Sequence, residues 1–242
     1  MDAPRGFKTW GLLTYLVRTR VPSSRERLAN LLFPEAGDPL GSLRWTLSVL
    51  RRQLGEHAEL GGDPVRLTLS PGTFLDLDVL GRGSWVQAIA LSGLGHDLLD
   101  GMIFRSSPGF EIWLENERRH IAGTTAAVLH EAALALLARG DAVAAAHHAS
   151  VLVGLNPLDE NAHVLFVRCL RASGDTEVAK RQVEACVELF NRELGIDPSP
   201  ALRSAAATSG LPIRGHVPGR AVVLAQIEAG EAAISAGAIE AG

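Results

Sequence analysis

Three arginines and a serine, Arg44, Ser48, Arg51 and Arg52, fall within the stretch Leu40–Leu54 at spacings that bring them together. At about 100° per residue they share one side of a helix, with Trp45 at its border, and Leu43, Leu47, Leu50 and Leu54 form a narrow apolar stripe beside them. Guanidinium groups fork onto phosphate oxygens and onto the acceptor edge of guanine, and a serine hydroxyl serves either. A solvated charged face is the commoner fate of such a stripe. Here, however, no acidic residue lies on the polar side, whereas a purely solvated helix more often mixes signs to gain i,i+4 pairs. The expected chemistry is contact with double-stranded DNA.

Such a helix needs a frame. Lys8–Thr19 carries Leu12, Leu13, Leu16 and Val17 at helical spacing. Pro22-Ser23-Ser24 breaks the chain, and Ser23, three residues before Glu26, has the capping-box spacing that opens a second helix, Ser24–Phe33. Pro34 stops that helix, residues 34–39 have turn composition, and the third helix ends at Gly55. After a loop, Glu56–Asp63, the residues Val65–Leu69 alternate cleanly, Pro71-Gly72 makes a turn, and Thr73–Val79 continues as a second strand. Three helices followed by a hairpin, the third helix basic, is the order of a winged helix-turn-helix. Lys8 and Arg25, with Arg66 on or near the wing, are the expected phosphate contacts.

From about Gly83 the pattern is helical only: a stretch 98–109 with a Ser-Ser-Pro-Gly break, then Phe110–Arg139, Asp141–Leu155, Leu158–Ala172 and Thr176–Leu194. Arg139-Gly140-Asp141 recurs as Ser173-Gly174-Asp175, and Ala145 as Ala179, both at an offset of 34 residues, the tetratricopeptide length. Residues 195–220 read as a linker, and an alanine-rich helix follows from Arg220 to Ala236. The expected fold is therefore mainly α. A winged helix-turn-helix with a short β-hairpin occupies 1–80, an all-α tetratricopeptide-like helical-repeat domain 83–200, and a linker with a terminal helix 201–242. That last helix would begin a further repeat or cap the array.

Composition narrows the function. The 242 residues suit two domains, and 47% hydrophobic against 21% charged residues exclude a disordered chain. Net charge is −4, yet through residue 60 nine basic residues face six acidic ones, so a mildly basic head sits on an acidic body. With 5% aromatic residues, stacking platforms for single-stranded nucleic acid are not expected. Cys169 and Cys186 alone build neither a disulfide framework nor a zinc site. Neighbouring His147 and His148 diverge by about 100° on a helix and do not chelate one ion. There is no P-loop, G-x-S-x-G or H-E-x-x-H. No catalytic residue, metal or cofactor is expected, and no uninterrupted apolar run approaches 18 residues, so the expectation is a cytoplasmic protein without a membrane partner. The alternative to a DNA-binding regulator is a helical-repeat adaptor whose winged helix no longer binds DNA.

Several segments, in this order and spacing, resemble the Streptomyces antibiotic regulatory protein (SARP) type of activator. They are Ser24-Arg25-Glu26-Arg27-Leu28-Ala29-Asn30-Leu31-Leu32-Phe33-Pro34, the run Leu43–Gly55, Phe110–Arg119, Leu155–His163 and Glu193–Pro198. The resemblance implies a winged-helix DNA-binding domain followed by a bacterial transcriptional activation domain of tetratricopeptide-like helices, with helix three as the recognition helix. It further implies that the loop with Glu35 and Asp38 touches RNA polymerase, and that a homodimer binds direct-repeat sites. The chain departs from the type in reaching helix one without the short antiparallel sheet that usually precedes it.

Overall fold

The computed structural model describes residues 6–207 and forms two compact units. One takes the chain through Leu75 and then residues His96–Arg119; the other takes Asp76–Gly95 and the chain from His120 onward. The first unit thus draws in a segment that lies, in sequence, among the helices expected to belong to the repeat domain.

In the first unit α1 (Phe7–Thr19), α2 (Arg25–Leu32) and α3 (Pro39–Leu54) pack around Leu12, Leu28, Leu32, Leu43, Leu47 and Leu50, all fully buried. Ser24 rather than Ser23 caps α2, accepting from the Arg27 amide. Ser23 instead exchanges both backbone hydrogen bonds with Val65 (3.1 and 2.8 Å) and ties the start of α2 to the hairpin. Asp38 caps α3 through the Gly41 amide at 2.7 Å, with Pro39 in the first turn, where its missing N–H costs nothing.

The hairpin lies one strand earlier than the alternation suggests. Strand β1 (Ala58–Gly61), expected as loop, pairs antiparallel with β2 (Arg66–Leu69), placing Ala58 opposite Leu69 and Gly61 opposite Arg66. Gly62, at φ +86°, takes the left-handed backbone that the reversal before Pro64 requires. The expected second strand, Thr73–Val79, is not one: its latter half opens α4 (Asp76–Arg82), where Asp76 and Asp78 favour a helix N-terminus.

Segment 96–119 completes the core. Phe104, Phe110 and Leu114 are fully buried among the leucines of α1–α3, and a Cβ on Gly11 would stand 2.8 Å from the Phe104 ring, so the glycine permits that approach. Trp113 stacks edge-on to Tyr15 at 4.9 Å. Arg118 donates to the carbonyls of Leu98 (2.9 Å), Leu99 (3.0 Å) and Met102 (3.5 Å). Arg18 pairs with Glu117 at 2.6 Å.

The second unit begins with α4 and α5 (Trp85–Ile89), the latter opened by a capping box between Ser84 and Gln87. It continues through the C-terminal part of α6 (Pro108–Ala138), then α7 (Ala142–Leu155), α8 (Glu160–Ala172), α9 (Thr176–Leu194) and α10 (Pro200–Ala207). The 34-residue period is present in the backbone. Gly140 (φ +83°) and Gly174 (φ +90°) turn the chain, and Asp141 N–H and Asp175 N–H reach back to Leu136 O and Leu170 O at 3.0 and 2.9 Å. Ala145 and Ala179 are both fully buried, and small residues there let successive helices approach closely. Helix α6 is long and apolar enough to cross a bilayer, and several of its apolar residues pack in the cores: Phe110 and Leu114 in the first, Leu129 and Ala133 with Ala145, Ala149 and Ala162 in the second.

The linker expected from residue 195 is in part helix. Proline at the first position is compatible with α10, and Leu202 and Ala205 are buried with Val167, Cys186 and Phe190. The expected terminal helix Arg220–Ala236 lies outside the described residues.

Because Phe110 fills the winged-helix core from α6, Phe110→Ala should destabilise the first unit by about 3–5 kcal/mol. Hydrogen exchange read peptide by peptide should show faster exchange throughout α1–α3; unchanged protection there would mean that segment 96–119 is dispensable to the core.

Candidate nucleic-acid interface

Four buried leucines (Leu43, Leu47, Leu50 and Leu54) fix the rotation of α3, and Arg44, Trp45, Ser48, Arg51 and Arg52 are consequently exposed. Trp45 is 65% exposed. With Phe33 and Lys8, it lines an open groove of about 610 Å³ between the first turns of α1 and α3. Among the described residues no carboxylate pairs with Arg44, Arg51 or Arg52. The face is therefore an uncompensated run of positive charge with one hydroxyl and one indole.

The basic side chains expected to contact nucleic acid are held differently from one another. Arg44 makes only a long bond from Nε to Leu40 O on its own helix, at 3.4 Å. The Arg52 side chain makes no hydrogen bond or ion pair among the described residues. Arg51 donates from Nε to Leu60 O in β1 at 2.7 Å. Arg66 is exposed on β2, opposite Gly61. Arg25 is half-buried and donates from Nε and a terminal nitrogen to Gly62 O, both at 3.2 Å, while its amide donates to Asp63 Oδ1 at 3.2 Å.

Lys8 does not stand with the exposed arginines. Its ammonium donates to Leu32 O and to Ser107 Oγ, and the Ser107 hydroxyl, fully buried, donates to Leu32 O at 2.6 Å. Burial lowers the Lys8 pKa, against the opposing pull of Glu35 and Glu111. Lys8 and Arg25, both expected as phosphate contacts, are thus engaged with main-chain carbonyls of their own unit. Glu35 is exposed in the α2–α3 loop, and Asp38, also exposed, has the additional task of capping α3.

Ser107 and the carbonyl partners of Arg118 are positioning features that sequence reasoning missed. The first had a readable signal, since a serine directly before Pro108 marks a helix start. The second had none, because a carbonyl clamp leaves no trace in residue spacing.

A winged helix with an open basic helix, followed by stacked helical hairpins, defines a class of transcription regulator. The family model of the bacterial transcriptional activator domain matches residues 77–208, more than half of the chain, and the chain belongs to that family, one of regulators rather than enzymes. The SARP-type resemblance seen in the sequence agrees with this. Among solved structures the chain is similar to Mycobacterium tuberculosis EmbR in complex with a low-affinity phosphopeptide, with a TM-score of 0.59 and 22% identity over 85% of this chain and 59% of that one. At that identity the likeness is one of fold, and the chain spans about three fifths of that protein's length. No curated protein matches the chain.

The buried ammonium predicts a pH dependence. Burial disfavours charged Lys8, so its folded pKa lies below the ordinary 10.5. Its contribution to stability is therefore complete above 10.5 and is lost as pH falls through the lowered folded value. Measured by denaturation against Lys8→Met, the parent chain should gain relative stability as pH rises through that window. A flat difference would mean that the ammonium is as well solvated as in the unfolded chain.

Proposed function

We propose that the chain is a sequence-specific, DNA-binding transcriptional activator whose first unit binds duplex DNA. Helix α3 enters the major groove, where Arg44, Ser48 and Arg52 contact base edges and phosphates with Trp45 alongside, and Arg66 on the wing reaches the backbone. The observation that carries this reading is the exposed row of arginines on α3, uncompensated by carboxylates, in a winged-helix frame. Family membership supports it.

In this reading the helical-repeat unit serves dimerisation or contact with RNA polymerase, the loop bearing Glu35 and Asp38 is a polymerase contact, and a homodimer occupies direct-repeat sites in the cytoplasm. The acidic balance of the chain beyond residue 60 suits protein rather than DNA contact there.

The test is selection of bound duplexes from a random pool, followed by affinity measured across salt concentrations. The selected site should contain direct repeats, and affinity should fall steeply between low and moderate salt. Arg44→Ala and Arg52→Ala should each weaken binding by about 1–3 kcal/mol where they contact a base, or lower the salt slope by about one where they contact a phosphate. No duplex binding above background at any salt would overturn the proposal and leave the helical repeats as a protein-interaction adaptor.

A further inference from the structure

The hairpin that carries Arg66 has only four residues in each strand, and Ala58, Leu60 and Val65 seat one side of it in the core. Two arginines from the helices grip its backbone. Arg51 Nε on α3 donates at 2.7 Å to the carbonyl of Leu60, the residue next to Gly61, which is the cross-strand partner of Arg66. Arg25 at the start of α2 forks onto Gly62 O, and the Ser23–Val65 bridge secures the far side of the turn. Hydrogen bonds from a charged donor are shorter and stronger than neutral ones. By contrast, the side chains of Arg52 and Arg66 make no hydrogen bond or ion pair among the described residues, and the Arg44 side-chain bond stays within its own helix.

We infer that Arg51 is a positioning residue for the wing: its guanidinium fixes strand β1 to the reading helix, and Arg66, on the strand opposite, carries the charge to the duplex. The inference rests on the DNA-binding reading for the role of Arg66, but not for the anchoring. The terminal nitrogens of Arg51 stay available, so coupling between residues, rather than exposure, separates positioning from direct contact. If Arg51 acts through the wing, removing it matters only while Arg66 is present.

The experiment is a double-mutant cycle on the full chain, using a duplex selected from the random pool and several salt concentrations. Arg66→Ala should lower affinity about tenfold and the salt slope by about one. Arg51→Ala should lower affinity comparably. So should Arg51→Lys, which keeps charge and bulk but places a methylene where Nε stands. In the Arg66→Ala background either change at Arg51 should cost less than about twofold and leave the slope unaltered. Losses that multiply, or full affinity retained by Arg51→Lys, overturn the inference in favour of direct contact.

Hydrogen exchange without DNA supplies the second arm. Amides of Ala58–Gly61 and Arg66–Leu69 should exchange about tenfold faster in both Arg51 variants and at the parent rate in Arg52→Ala. Unchanged hairpin exchange overturns the anchoring. A parent chain that binds no duplex overturns the DNA reading and the role of Arg66 with it, while exchange still decides the anchoring.

Discussion

The rotation of α3 about its own axis is the constraint from which the candidate interface follows. Leu43, Leu47, Leu50 and Leu54 recur so that one stripe of the helix is apolar, and all four are buried. Burying a leucine side chain contributes about 1.5–3 kcal/mol, so turning the helix to hide its arginines would forfeit several such terms and bury charge as well. The outward direction of Arg44, Ser48, Arg51 and Arg52 is therefore a consequence of core packing. The caps at Asp38 and Gly55 fix where the helix begins and ends, and hence which residues the stripe can include.

A second theme is the use of cations as partners for main-chain carbonyls. Lys8 meets Leu32 O, Arg25 meets Gly62 O, Arg51 meets Leu60 O, and Arg118 meets the carbonyls of Leu98, Leu99 and Met102. Short helices, a small hairpin and a turn-rich segment leave many carbonyls without a ladder partner, and a multidentate donor can satisfy several of them. This explains why a count of basic residues overstates the charge offered outward. Among the residues expected to contact DNA, Arg44, Arg52 and Arg66 have side chains without a distant internal partner.

Period and punctuation made the helices legible in the sequence. All of α1–α3 and α6–α9 were expected near their observed bounds, the first three from the spacing of their leucines and the later ones from the proline, glycine or aspartate at their ends. The 34-residue repeat was legible for the same reason: Gly140 and Gly174 occupy backbone conformations that favour glycine. The hairpin was displaced because Ala58–Gly61 is too short and too small-residued to announce a strand, while Thr73–Val79 alternates without any partner to pair with. Helix α10 was hidden by its prolines, which mark a helix start as readily as a linker. The face of α3 was legible from spacing, but the division of labour among its arginines was not, since hydrogen bonds to distant carbonyls depend on tertiary packing.

The family match and the compact units divide the chain at different places, and the difference is physical. Residues 77–208 match the activator domain, yet 96–119, within that span, supply Phe104, Phe110, Leu114 and Trp113 to the core of the winged helix. Three helices and a two-stranded hairpin are a small domain with a thin core, the size at which extra burial decides stability. Bringing in two phenylalanines and a tryptophan from the following segment adds aromatic surface to a unit otherwise filled by leucines, and the Arg18–Glu117 and Lys8–Ser107 contacts fix that segment in place. The same helix, α6, then continues into the second unit, where Leu129 and Ala133 pack on the repeat helices. A single helix thus supplies core residues to both units.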